Sequence, residues 1–153
     1  MVYSKVAERT YMIDTIGAGA PGTVAVYVVK GARKTALIDC GFASTYGNVM
    51  QGLRQIGIEP SRVDYVIPTH AHLDHAGATG QLLMHMPKAT VVAHERTVPH
   101  LVDPAKLIES STSLFGEKLV IINFYNSISR NKSGLFGSRF FNDTCNYNTL
   151  RSR

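Results

Sequence analysis

Three of the six histidines of this chain fall within six consecutive positions. His70, His72, Asp74 and His75 spell H-x-H-x-D-H inside THAHLDHAG (69–77). Imidazole and carboxylate are the common ligands of zinc and of other borderline divalent metals. Side chains two apart in an extended segment point the same way, so His70 and His72 can grip one ion. Asp74 and His75 follow at the start of the next helix and reach a second position along the loop. Two donor pairs on one loop suit a dinuclear centre, which makes hydroxide near neutral pH and clamps a developing oxyanion. The competing reading is a chance cluster of surface histidines. It explains less, because the cluster sits at a strand-to-helix junction, where a ligand loop belongs.

The elements that must carry this loop are legible from periodicity and breakers. Tyr11–Ile16 reads as a strand, Gly17–Gly22 (GAGAPG) as a loop, and Val24–Val29 and Thr35–Asp39 as a hairpin. Ser44 or Thr45 can cap a helix in which Val49, Leu53 and Ile56 recur, ended by Gly57. Asp64–Pro68 is a strand running into the histidine cluster, Ala76–Met86 a helix stopped by Pro87, Ala89–Ala93 a strand, and Pro104–Leu114 a helix. Early strands followed by strands alternating with helices make an α/β fold, a mixed β-sheet with covering helices. Ligands gather at the carboxyl ends of strands in such sheets. The strand ends at Asp39, His70 and His94 then share one rim.

The remaining candidates are weaker. His94 reads first as a polar strand-end residue capping the ERTVPHL turn, and second as a makeshift ligand. His85 and His100 read as surface residues. Cys40 reads as a small buried residue, since no basic partner stands near it in sequence. GAGAPG leads into a strand, not a helix, which argues against nucleotide binding.

Residues 1–121 carry 11 basic and 10 acidic side chains, whereas 122–153 carry Arg130, Lys132, Arg139, Arg151 and Arg153 against Asp143 alone. The formal net charge of +5 therefore belongs mainly to the last 32 residues. A near-neutral body argues against nucleic acid as a partner. No apolar run approaches the roughly 18 residues of a membrane span, and the first ten residues lack a signal-peptide core. A cytoplasmic protein is expected. Residues 1–121 contain one asparagine and 122–153 six, without helical or strand periodicity. The expected division is 1–121, a domain, and 122–153, a basic Asn-rich tail, disordered or out of frame.

LIDCGF (37–42) followed by VDYVIPTHAHLDHAG (63–77) resembles the metallo-β-lactamase-fold hydrolases over roughly Thr10–Lys118. VVAHERTVPHLVDPAKLIESSTSLFG (91–116) is similar to an archaeal-type subgroup of uncharacterised members near glyoxalase II and the lactonases. The resemblance implies the N-terminal half of an αββα sandwich. It also implies two zinc ions, with iron or manganese as alternatives. His70 and His72 would hold the first, Asp74 and His75 the second, and Asp74 would orient the attacking water. Asp39, and in this chain His94, would support the centre from behind the ligands. The implied activity is hydrolysis of a small ester, thioester or lactone by metal-bound hydroxide; a non-catalytic remnant and a nuclease are the alternatives. No histidine follows His100, so the downstream ligands of the family are missing and a chain truncated after about residue 118 is expected. Each ion then has two donors. One sheet face should stay partly open, taking some of Val26, Val28, Leu37 and Val66 with it, and a homodimer or aggregation is expected.

Overall fold

The computed structural model describes residues 3–118 and 120. The asparagine-rich stretch 122–153, Cys145 included, lies outside the described residues, and with it the expectation of a disordered or out-of-frame tail.

Six strands form one sheet in sequence order. β1 (Tyr3–Ala7), β2 (Thr10–Asp14), β3 (Ala25–Lys30) and β4 (Thr35–Ile38) pair antiparallel. β5 (Tyr65–Ile67) and β6 (Thr90–Val91) continue parallel to β4. The sheet is therefore mixed, with the sharp turns in its first half and the helical crossovers in its second. α1 (Tyr46–Gln55) links β4 to β5. The pair α2 (Leu73–Ala76) and α3 (Thr79–His85) links β5 to β6, and α4 (Val98–Val102) and α5 (Ala105–Phe115) follow.

Directly paired residues share a face. Ile13 opposes Val26, Val28 opposes Leu37, Leu37 opposes Val66 and Val66 opposes Val91. All of them are essentially inaccessible, and they pack with Val49 and Leu53 of α1, Leu82 of α3 and Met86 just after it. The expectation that some of Val26, Val28, Leu37 and Val66 would lie on an open face is thus corrected: all four lie on the covered one. The opposite face carries Tyr27, Val29 and Tyr65, exposed by 40%, 39% and 36%.

Other boundaries differ for local reasons. The first predicted strand stops at Asp14, because Ile16 turns left-handed (φ 55), and a strand before it, β1, was not foreseen. The helix predicted over Ala76–Met86 forms as α3 from Thr79, and Ala76 instead ends the separate α2. Between them Ala78 N–H leaves the helix to reach Gly41 O (2.9 Å), and the Thr79 hydroxyl donates to Ala76 O (2.7 Å). The strand expected over Ala89–Ala93 is paired only at Thr90–Val91. At the sheet pole away from the histidine loop, Asp64 clamps the starts of β4 and β5: it accepts from Lys34 Nζ (2.8 Å) and Thr35 N–H (2.9 Å). These donors hold its carboxyl below the usual carboxylate range. Among the described residues, no helix is long and apolar enough to cross a membrane.

Candidate metal centre

The loop is built where β4 and β5 end side by side. Asp39 N–H donates to Ile67 O (3.0 Å) and continues the ladder one step beyond β4. Asp39 then adopts a left-handed backbone (φ 62), followed by Gly41 (φ 73). Aspartate tolerates this conformation better than most residues do, and the turn rotates its carboxylate to the rim. Three donors converge there. Thr69 N–H and Thr69 Oγ1–H both reach Oδ1 at 2.8 Å, and His75 Nδ1 lies 2.9 Å from Oδ2.

Two further bonds stitch the loop to β4. Cys40 N–H donates to His75 O (2.7 Å), and Ala78 N–H to Gly41 O. Gly77 makes this close approach feasible, since a Cβ there would fall 2.3 Å from Leu73 O and 3.2 Å from Ala43 N. Cys40 is fully buried, with Thr79 Oγ1 3.2 Å from its sulfur, and burial pushes its thiol up to about 12. It is no nucleophile near neutral pH.

Three imidazoles gather on the outer side of this brace. The His70 and His72 ring centroids are 4.7 Å apart and nearly perpendicular; those of His70 and His75 are 4.1 Å apart. His75 Nε2 lies 3.2 Å from Asp74 Oδ2. Two donors of a tetrahedral zinc at about 2.0–2.2 Å are about 3.4 Å from each other, so this pair has the spacing of two ligands on one ion. The Asp39 contact on the other ring nitrogen is the carboxylate–histidine arrangement that orients metal-bound imidazoles. Accessibility grades outward from Asp39, with 10% of its side chain exposed, to His75 (31%) and Asp74 (39%); His72 is exposed. Burial, and then the neighbouring His75 and His72, hold His70 below the ordinary histidine range, which favours the neutral form a metal needs. Among the described residues no group of three or more His, Cys, Asp or Glu converges to hold an ion. The donor contact with ligand spacing is the Asp74–His75 pair.

The structure brings His70, His72, Asp74, His75 and Asp39 together. It does not bring in His94, although that residue follows β6 beside β5. Its Nδ1 accepts the Arg96 N–H (3.2 Å), and its carbonyl accepts from Thr97 and Val98. Among the described residues no hydrogen bond or ring contact joins it to the motif. His85 is exposed and stacks on Tyr46. The GAGAPG loop is held by Asp14, whose carboxylate accepts from Ile16 and Gly22 N–H (2.9 and 2.8 Å). The residue that sequence reasoning passed over is Thr69; its signal was a hydroxyl directly before the first motif histidine.

A family model for the metallo-beta-lactamase superfamily matches residues 19–144. The chain is 35% identical over 83 residues to the coenzyme F420H(2) oxidase of Methanothermobacter marburgensis, a match covering 52% of this chain and 20% of that protein. It is 33% identical over 93 residues to a probable metallo-hydrolase of Methanocaldococcus jannaschii, covering 61% and 42%. Among solved structures, BJP-1, a subclass B3 metallo-beta-lactamase of Bradyrhizobium japonicum, is similar with a TM-score of 0.58 at 25% identity. That match covers 66% of this chain and 36% of BJP-1. The chain spans less than half the length of each of these relatives.

Proposed function

The chain belongs to the metallo-beta-lactamase superfamily, and on that premise we propose that it is a metal-dependent hydrolase of a small ester, thioester or lactone. The observation that carries this reading is the pairing of donors at the carboxyl rim, with Asp39 braced against His75. His70 with His72 would hold one divalent ion and Asp74 with His75 a second. Zinc is the first choice, and iron or manganese suits the same donors. Such ions polarise a carbonyl and acidify water.

The chain's own groups do the rest. Asp39 takes the Nδ1–H of His75 and leaves Nε2 on the side of Asp74. Asp74, more exposed than His75, has a carboxylate that can accept a hydrogen bond from the attacking water and orient it. The exposure of His72 leaves the donors open to a substrate carbonyl. The near balance of charge over residues 1–121 supports a small substrate over nucleic acid.

The test is turnover of an ester, thioester and lactone panel by chelator-stripped protein reloaded with zinc, manganese or ferrous iron. Hydrolysis that depends on the metal and disappears in Asp74→Asn and His72→Ala is expected. Silence across the panel with every metal would sink the reading. A second reading, a redox metal domain, is favoured by the similarity to the coenzyme F420H(2) oxidase and to the flavo-diiron protein of Clostridium acetobutylicum. Oxygen consumption by the iron-loaded protein with a chemical reductant, without hydrolysis, would support it instead.

A further inference from the structure

We propose that Thr69 is a positioning residue whose hydroxyl relays the Asp39 carboxylate to His70, so that one carboxylate fixes the tautomer of two imidazoles, one from each donor pair. The proposal rests on the metal-centre reading for its purpose, and on the hydrogen-bond geometry alone for its mechanism.

Thr69 Oγ1 has two neighbours: Asp39 Oδ1 at 2.8 Å and His70 Nδ1 at 3.0 Å. A hydroxyl carries one hydrogen, and an ionised carboxylate only accepts. The hydrogen must therefore point at Asp39, because the opposite choice would set a hydroxyl lone pair against a carboxylate oxygen at 2.8 Å. The hydroxyl is then left with a lone pair toward His70, and Nδ1 of that ring must carry the proton. In the neutral ring, Nε2 is consequently the bare nitrogen. The other carboxylate oxygen does the same to His75 directly, through Nδ1 at 2.9 Å. His70 thus presents an unprotonated Nε2, the state in which a neutral imidazole binds metal. His75 has a carboxylate oxygen at each ring nitrogen, Asp39 Oδ2 at 2.9 Å and Asp74 Oδ2 at 3.2 Å, and the nearer takes the proton of the neutral ring.

His72 supplies an internal contrast. Among the described residues its ring touches the His70 ring but makes no hydrogen bond, so nothing sets its tautomer. A free neutral histidine side chain favours the Nε2–H form, which leaves Nδ1 rather than Nε2 bare, so a metal at Nε2 requires the other tautomer. The relay sets that tautomer in His70. Thr69 N–H also donates to Asp39 Oδ1 at 2.8 Å. This backbone brace survives any side-chain change, so Thr69→Val, which keeps the β-branched shape, isolates the hydroxyl.

The experiment uses the full chain, 15N-labelled, chelator-treated and held at pH 8, with long-range proton–nitrogen correlation spectra reporting each ring's tautomer. His70 and His75 are expected as Nδ1–H. Thr69→Val should return His70 alone toward Nε2–H, Thr69→Ser should restore it, and Asp39→Asn should disturb both rings. An Nε2–H His70 in the parent protein, or one indifferent to Thr69→Val, overturns the proposal. Competition against a chromophoric chelator adds a second readout. Zinc affinity should fall about 10–100-fold in Thr69→Val, the usual loss for a residue that orients a ligand, and recover in Thr69→Ser. Unchanged affinity overturns the purpose assigned to the relay. If the parent protein shows the tautomers but takes up no zinc, the relay stands and the metal-centre reading falls.

Discussion

His70 is a residue whose protonation the fold opposes. Burial lowers its affinity for a proton, the neighbouring His75 and His72 lower it further, and Asp39 and Asp74 oppose the shift without reversing it. The sign of the consequence follows from linkage. Near pH 7.5 the ring is neutral in both folded and unfolded chains and adds no pH dependence. As pH falls through the unfolded value of about 6.5, the unfolded chain takes up the proton first, and stability is lost until the folded value is passed. Urea midpoints of metal-free protein at pH 7.5 and 5.5 should therefore fall on acidification, and fall less in His70→Ala; equal losses in both proteins would contradict the assignment. At this scale the candidate site was largely legible. His70, His72, Asp74 and His75 are contiguous, so their chemistry needs no fold to be noticed, and the strand-end position of Asp39 put it at the same rim. Thr69 was not legible, because a threonine becomes informative only when both of its hydrogen-bond partners are located. His94 shared the rim by strand order, but its ring turned to the Arg96 N–H, a choice made by the local turn.

The elements record a division between what periodicity announces and what close approach decides. α1 was foreseen from Val49 and Leu53, and both are fully buried. Its two glycines looked alike in sequence and are opposites in the fold. A Cβ at Gly47 would meet nothing within 4 Å, whereas one at Gly52 would fall 2.6 Å from Ile13 Cγ2 on β2. Ile13 is itself wholly buried and has nowhere to retreat. Gly47→Ala should stabilise the protein by about 0.4–1 kcal/mol, through the reduced freedom of the unfolded chain. Gly52→Ala should destabilise it by about 1–3 kcal/mol by overpacking. Chemical denaturation of the two variants checks both signs at once, and a neutral Gly52→Ala would mean that α1 does not press on β2 as described. The same cause split the predicted helix over Ala76–Met86. The apolar pattern runs on, but Ala78 N–H docks on Gly41 O, and a Cβ at Gly77 would fall 3.2 Å from Ala43 N in the same segment. β1 escaped notice for a different reason: four of its five residues are exposed, so an edge strand left no buried stripe to detect.

At the scale of the molecule, the fold class was legible because hairpin strands followed by alternating strands and helices admit few sheets. The assignment of faces was not. AVYVVK in β3 is apolar on both sides of the pleat, and a pattern without alternation cannot say which residues face the helices. The register answers it. Val28, Leu37, Val66 and Val91 form one row across β3 to β6 beneath the helices. Val29, Ala36, Tyr65 and Thr90 form the neighbouring row on the other side. α1 and α3 cover the first row, and α3 begins where Ala78 N–H docks the histidine loop on Gly41 O, so core and site meet at that helix. The two rows should respond differently to substitution. Leu37 is fully buried, and Leu37→Ala removes atoms that nothing refills, a loss of about 2–5 kcal/mol. Val29 is 39% exposed, and Val29→Thr keeps its branched shape on a wet face, so it should change stability by less than about 0.5 kcal/mol. Equilibrium urea unfolding of both variants decides the matter. A large loss in Val29→Thr would mean that the second face is packed in solution. A small loss in Leu37→Ala would mean that the helices do not lie on the row assigned to them, and the meeting of core and site at α3 would fail with it.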